Sequence, residues 1–481
     1  VFNHAGAQRV TAKKNGKVQQ GHYDVVILGG GNAALCAAIT AARLGSSVII
    51  LEAAPKDWRG GNSRHTRNLR LAHDESNEVL TAPYTVEEFY SDLMRVTDGE
   101  TDEDLARFTL EQSSELWDWL LEQGVRFQPS LGGTLQLSHT NAFFLGGGKA
   151  LMNAMYRTAE AMGVEVRYDT EVVDLGFDDG HFTQATVRLA DGSQEIIAGQ
   201  SLVAAAGGFE ANIEWLREYW GDAADNFIVR GTPYNRGGVL RLMLDNGMMA
   251  VGDPKQCHAV ALDARAPKFD GGIVTRLDCV SLGIVVNADG DRFYDEGEDF
   301  WPKRYAIWGR LIAHQPDQIA HVIIDEKAQG LFMPSVFKPV TSDTIAGIAT
   351  QLDLDPAKLE DTVATYNAAV VPGTFDTQRL DDCRTEQLDP PKTHWARRID
   401  TPPFYGYSLR PGITFTYLGV RVNRNAQVLM ADGRPTSNVF AAGEIMAGNV
   451  LGKGYLAGIG MTIGAVFGRI AGREAARRAR N

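Results

Sequence analysis

Three small residues, Gly29, Gly31 and Ala34, follow the apolar run Val25-Val26-Ile27-Leu28, and an acid, Glu52, closes the next apolar run. The pattern suits a dinucleotide. Gly29 allows a tight turn after a strand, Gly31 lets backbone approach a pyrophosphate, and Ala34 leaves room for a helix to pack on the sheet. Asn32 and Ala33 open a helix expected to run to Leu44, whose unpaired N–H groups and dipole attract phosphate. Glu52 is placed to hold a ribose hydroxyl. A second stretch with chemical content is 58–70, WRGGNSRHTRNLR, which gathers Arg64, His65, Arg67 and Arg70 around Gly60, Gly61, Asn62 and Ser63. Its lack of hydrophobic periodicity marks a loop that lines a site. Its cations can meet an anionic substrate, or form a solvated basic face against the pyrophosphate.

These groups need a scaffold, and the rest of the chain supplies the pattern of one. The unit 24–52 reads strand, turn, helix, strand. Helical spacing predicts helices over 85–98 and 102–123, a glycine-led helix over 146–163, strands near 164–175 and 183–189, and an apolar segment 201–209 ending in a second glycine turn. From 237 to 385 the character changes to mixed elements rich in Arg, Trp and Tyr. The last hundred residues return to strand VFAAGE, a glycine-rich turn and a helix over 459–480. The expected fold class is therefore α/β, a Rossmann-like dinucleotide domain made from 21–236 and 386–481 and split by an inserted α+β capping domain, 237–385. Residues 1–20, polar and basic, read as a loose extension.

The chain has 481 residues, 44% hydrophobic and 22% charged, enough for two or three domains. A formal charge of −13 argues against nucleic acid as the main partner. The four cysteines, Cys36, Cys257, Cys279 and Cys383, show no metal-ligand spacing and read as buried thiols of a reducing compartment. No apolar run is long enough to span a bilayer, so the expected location is cytoplasmic.

Four runs together resemble the flavoprotein subunit family of succinate dehydrogenase and fumarate reductase. They are GGGNAA with Glu52, Gly60-Gly61-Asn62-Ser63, Ala205-Ala206-Gly207-Gly208-Phe209, and Ala441-Ala442-Gly443-Glu444 followed by the turn at Gly458 and the helix from Ile459. The resemblance implies FAD as cofactor and a mobile cap closing over the flavin. Members with covalent FAD carry a His where this chain has Asn62, so noncovalent FAD is implied, with His65 the nearby exception. The runs at 52–70, 292–310 and 448–472 are in the style of the tricarballylate-oxidising members, implying tricarballylate to cis-aconitate. Electrons would then pass to a separate acceptor, such as a membrane-bound iron–sulfur protein.

Desaturating a C–C bond beside a carboxylate requires hydride removal, proton removal and clamped carboxylates, and Arg suits the clamp. The resemblance places the proton-transfer Arg shortly after Arg292-Phe293-Tyr294-Asp295-Glu296, making Arg304 the candidate, with Tyr305 beside it. The alternative is that Arg304 ion-pairs with Glu296 or Glu298. His258 resembles the family's substrate-binding His, and Thr275-Arg276 a region near the substrate. Two departures stand out. Phe415 replaces a fumarate reductase His, and Tyr455 lies where that enzyme carries an Arg turn. Plain succinate or fumarate is disfavoured. Tyr455 is similar to the Tyr of 3-ketosteroid dehydrogenases, which opens a second expectation: desaturation of a cyclic ketone or ring keto acid such as 4-oxocyclohexanecarboxylate. Tyr417 or Tyr305 would be its base, provided an Arg depresses the phenol pKa from about 10.

Overall fold

The computed structural model describes residues 21–130, 137–269 and 275–480; the 1–20 extension lies outside them. Chain order in the first half is β1 (Gly21–Leu28), α1 (Asn32–Arg43), β2 (Val48–Leu51), α2 (Gly147–Ala161), β3 (Glu165–Arg167), β4 (Glu171–Asp178), β5 (His181–Arg188) and β6 (Gln194–Ala204). The second half adds β7 (Cys257–Asp263), β8 (Ile284–Asn287), β9 (Ala320–Asp325), β10 (Phe404–Thr416), β11 (Gln427–Leu429), β12 (Pro435–Ala441) and α3 (Ile459–Ala479). The 102–123 stretch forms two helices, Glu103–Ser113 and Leu116–Glu122. Ser113 and Ser114 hydroxyls donate back to the Leu110 and Glu111 carbonyls at the break, a local bond that competes with the helical ladder.

One sheet runs β11-β12-β6-β1-β2-β3, with the β4–β5 hairpin joined to β6. The four central strands are parallel and buried, as continuous Val/Ile/Leu runs demand. Their register sets Leu28 opposite both Leu51 and Ala204, and Ala204 opposite Ala441. Four strand ends therefore stop on one line. The loops that follow them, Gly29-Gly30-Gly31, Glu52, Ala205-Ala206-Gly207 and Ala442-Gly443-Glu444, are brought together at the carboxyl edge, where open parallel sheets bind ligands. Behind this edge α1 packs on α3. A Cβ at Gly468 would sit 2.5 Å from the Ala33 carbonyl oxygen and one at Gly472 2.2 Å from that of Ala37, so glycine on α3 lets the helices touch backbone to backbone.

A second sheet runs β7-β10-β9-β8, all antiparallel, with Ile228–Val229 and Val340–Ser342 also paired to β10. Its longest strand, β10, belongs in sequence to the 386–481 segment expected in the dinucleotide domain. Sheet membership thus does not follow the 385/386 division. Pairing of β7 with β10 sets His258 opposite Phe415 beside a register shift, and both line the same cavity as the strand-end loops of the first sheet.

Candidate active site

A cavity of about 800 Å³ lies between the two sheets. At one end its wall is largely backbone: Gly29, Gly30, Gly31, Asn32, Ala33, Ala206, Gly207 and Gly443, with Glu52. Gly29 has φ +93°, and a Cβ there would meet the Ala205 carbonyl oxygen at 2.5 Å, so only glycine closes this turn without strain. Gly31 caps α1 with no side-chain bond, which leaves helix N–H groups for an anion. Ser63 Oγ accepts the Asn32 N–H at 3.0 Å and so pins the 60–65 turn to the helix. Glu52 is buried, accepts the Ala54 N–H at 2.9 Å, and is pushed above the usual carboxylate range by burial.

In the middle of the cavity Asn62 is fully engaged. Its Nδ2 donates to Glu210 Oε1 at 2.5 Å and to the Thr414 carbonyl at 2.7 Å, while its Oδ1 accepts the Thr232 N–H at 2.8 Å. Asn235 Nδ2 also donates to Glu210 Oε1, at 2.8 Å. Glu444 accepts the Thr416 N–H at 2.8 Å, while Glu210 Oε2 is buried without a hydrogen-bond partner among the described residues. Burial, then their mutual repulsion, holds Glu444 well above the ordinary carboxylate value.

The other end is made of side chains. Here the cavity is lined by His65, Arg67, Arg230, His258, Arg276, Tyr305, Phe415 and Tyr455. His258 stacks on Tyr455 with ring centroids 4.0 Å apart and meets Tyr305 edge-on at 5.3 Å. The Arg276 guanidinium lies 4.6 Å from the Tyr305 ring centre and grips Asp278 through two bonds of 2.6 and 2.9 Å; Arg67 approaches the same carboxylate at 3.5 Å. Arg230 is different. It is 6% exposed, its Nε has no partner, its NH1 reaches only Thr414 Oγ1 at 3.3 Å, and no acid pairs with it among the described residues. Three guanidiniums thus stand beside one carboxylate, which pairs with only two of them. Both histidines are held neutral, His65 pushed down to about 3 and His258 well below its ordinary value, by burial first and then by nearby cations. Both His258 ring nitrogens are buried without partners among the described residues. A buried cation and a buried imidazole left unsatisfied mark the place where an anionic, hydrogen-bonding ligand belongs.

The residues expected from sequence are sorted by this geometry. Tyr305, Tyr455, His258, Arg276, His65, Arg67 and Phe415 meet at one end, and Gly29, Gly31, Asn32, Ala33, Glu52, Gly61, Asn62, Ser63, Ala206, Gly207, Gly443, Glu444 and Gly458 line the remainder. Arg304 does not join them: its NH2 donates to Glu298 at 2.6 Å, the ion pair weighed as its alternative. Tyr417 is fully buried and donates its hydroxyl to the Gly454 carbonyl, a structural bond that leaves no proton to exchange with a ligand. Thr275, Ala34, Gly60 and Ile459 lie behind the wall, Ala34 and Ile459 in the core and Gly60 against Met152. Tyr305, with Tyr417 one of the two expected bases, is pushed up, not down, because burial outweighs Arg276 and Arg230, and burial likewise pushes up Tyr455, the expected ketone-polarising residue, so both are neutral phenols at rest. Sequence reading missed Arg230 and Glu210. The available signal was a charged residue inside an otherwise apolar or glycine-rich run, FIVRG and GGFE.

The FAD binding domain family model matches residues 24–461. The chain belongs to this family, that of the succinate dehydrogenase and fumarate reductase flavoproteins. Its cofactor is FAD, and the backbone-lined cradle, the uncapped helix and the ribose acid fit the dinucleotide. NADH:fumarate oxidoreductase of Klebsiella pneumoniae (strain 342) is 27% identical over 95% of this chain, which spans 48% of that protein's length. The open conformation of a flavocytochrome c3 fumarate reductase has a TM-score of 0.73 at 24% identity, covering 97% of this chain and 80% of that one. The 3-ketosteroid-Δ4-(5α)-dehydrogenase of Rhodococcus jostii RHA1 superposes with TM-score 0.73 at 22% identity, over 96% and 98%. Both share the fold. Among the described residues no helix is long and apolar enough to cross a membrane.

Proposed function

We propose that this chain is an FAD-dependent oxidoreductase acting on the CH–CH or C=C bond beside a carboxylate of a small polycarboxylate, tricarballylate and cis-aconitate being the pair to test first. The observation that carries the reading is Arg230, a buried guanidinium without a counter-anion at the end of the cavity where Arg67 and Arg276 already outnumber Asp278. A substrate with two or three carboxylates supplies the missing negative charge. Bound FAD supplies hydride transfer; positioning and proton movement fall to the chain.

In this reading Arg230 and His258 hold carboxylates, Arg230 as a cation and His258 as a neutral hydrogen-bond partner. Tyr305 moves the proton. Its phenol faces the cavity between Arg276 and His258, and being neutral at rest it donates to carbon in the reducing direction. In the oxidising direction it must first ionise, which Arg276 and Arg230 favour. Phe415 and Tyr455 shape the wall. FAD is held noncovalently, since Asn62 offers no nucleophile and is committed to Glu210. Electrons are exchanged with a separate partner, an iron–sulfur protein at a membrane in the tricarballylate reading.

A second reading rests on Tyr455, whose neutral hydroxyl accepts the Gly460 N–H at 3.1 Å and retains its own proton for a ketone oxygen. The substrate would then be a ring keto acid. Anaerobic addition of tricarballylate, succinate or 4-oxocyclohexanecarboxylate to the yellow protein separates the readings. Bleaching by tricarballylate supports the first. Bleaching by the cyclic ketone alone replaces it with the second.

A further inference from the structure

The cations of the 58–70 stretch do not all serve the cavity. His65 and Arg67 line it, and Arg70 is buried against the Tyr84 hydroxyl and the Ala457 carbonyl. Arg64 lines a different hollow. It belongs to the turn Gly61–His65, which packs on α2: a Cβ at Gly60 would meet Met152 at 2.9 Å, and one at Gly148 would meet the Ser63 carbonyl oxygen at 2.2 Å. Beside this contact lies a second cavity of about 280 Å³, lined by Lys56, Asp57, Arg59 and Arg64 and by Lys149 and Asn153 of α2. None of these residues lines the main cavity.

The charges of the lining do not balance. Arg59 is spent, since its guanidinium donates to the Tyr168 hydroxyl at 2.9 Å and to Asn153 Oδ1 at 3.2 Å and stands 3.7 Å from Glu160. Lys56, Arg64 and Lys149 form no ion pair among the described residues, and the one acid of the lining is the exposed Asp57. Arg64 is only 9% exposed. Its guanidinium lies 4.8 Å from the centre of the Trp58 ring, its NH1 donates to the Asp57 carbonyl at 2.8 Å, and its Nε is buried without a partner among the described residues. A buried guanidinium with no carboxylate and an unused donor is costly unless an anion completes it.

We propose that this hollow binds a compact oxyanion carrying two or three negative charges, a polyphosphate or a polycarboxylate, between Arg64, Lys56 and Lys149. The planar fork of Arg64 and the mobile ammonium groups of the lysines suit such oxygens, and concavity favours a small molecule over a flat protein face. The volume has room for a molecule the size of pyrophosphate or citrate. The site does not depend on which substrate the main cavity takes. An anion held there ties Lys149 of α2 to the turn whose Ser63 accepts the Asn32 N–H at the cofactor helix.

The test is calorimetric titration of the flavin-loaded protein, at low ionic strength, with pyrophosphate and separately with citrate. Bound FAD covers the phosphate cradle of the main cavity, and Arg230→Ala removes the free cation of its other end. Wild type is expected to bind one equivalent of at least one of the two probes, and whichever binds identifies the source of the oxygens. Lys56→Ala/Lys149→Ala, which changes two exposed side chains, is expected to weaken that binding at least tenfold. Arg230→Ala is expected to leave it within twofold, as is Lys255→Ala/Lys338→Ala, which removes the same charge from exposed positions elsewhere. Binding of neither probe overturns the proposal. So does binding that survives Lys56→Ala/Lys149→Ala, that is lost with Arg230→Ala, or that falls equally in the Lys255→Ala/Lys338→Ala control.

Discussion

The two ends of the cavity are built by opposite means. The dinucleotide end is made of backbone, held by a register that stops four parallel strands on one line, and its specificity lies in what is absent: a Cβ at Gly29, a cap on α1. The substrate end is made of large side chains from the second sheet and its connections, and what defines it is excess, three guanidiniums against one carboxylate. A backbone-made site tolerates no added atom, while a side-chain site is retuned one residue at a time. One end is therefore expected to fail all at once and the other to fail by degrees.

Substitutions on either side test this contrast. Gly29→Ala forces a positive φ on alanine and a 2.5 Å contact with Ala205, so the purified variant is expected to lose bound flavin entirely, read from its visible absorbance. Retained yellow colour would contradict the backbone account. Tyr305→Phe is expected to keep flavin and lower turnover by about 100- to 10,000-fold, the usual worth of a positioned acid or base; stopped-flow reduction by tricarballylate measures it. Arg230→Ala costs about 2–5 kcal/mol of substrate recognition if it faces a carboxylate, seen chiefly in kcat/KM. Arg304→Ala, at the partly buried pair with Glu298, is expected to change turnover less than twofold, and a large loss would restore the proton-transfer role assigned to it from sequence.

The pH dependence of stability sharpens the same contrast. His258 is neutral in the fold because its pKa lies well below the unfolded value of about 6.5. Below that pH the unfolded chain binds a proton that the folded chain refuses, so stability is present above about 6.5 and lost as pH falls. Thermal unfolding of wild type from pH 7 to pH 5 is expected to drop more steeply than that of His258→Gln.

What the residues disclosed in advance follows the same division. Glycine turns, a terminal acid and buried parallel strands are local signals, and the cradle from Gly29 to Glu52 and the turns at Gly207 and Gly443 stand where their patterns imply. The substrate end depends on contacts that no local pattern records. Arg304 follows its motif in sequence, yet the intervening acids include Glu298, which captures it. Tyr417 shares strand β10's terminus with the site but turns inward to Gly454. Arg230 lies next to an apolar edge strand, Ile228–Val229, with nothing nearby in sequence to announce that it lacks an acid; only the assembled fold leaves it without one.

The line of strand ends also sets an order of assembly. Leu28, Leu51 and Ala204 can align once the first half of the chain has left the ribosome, but the fourth position, Ala441, comes long afterwards, and the helix that braces α1 later still. Until then the cradle has an open side, and β6 presents an unpaired edge at Leu202–Ala204, beyond its pairing with β5. Cofactor loading is thus a closing event of biosynthesis, and a nascent chain stalled before β12 would carry an exposed, sticky strand with no ligand to protect it.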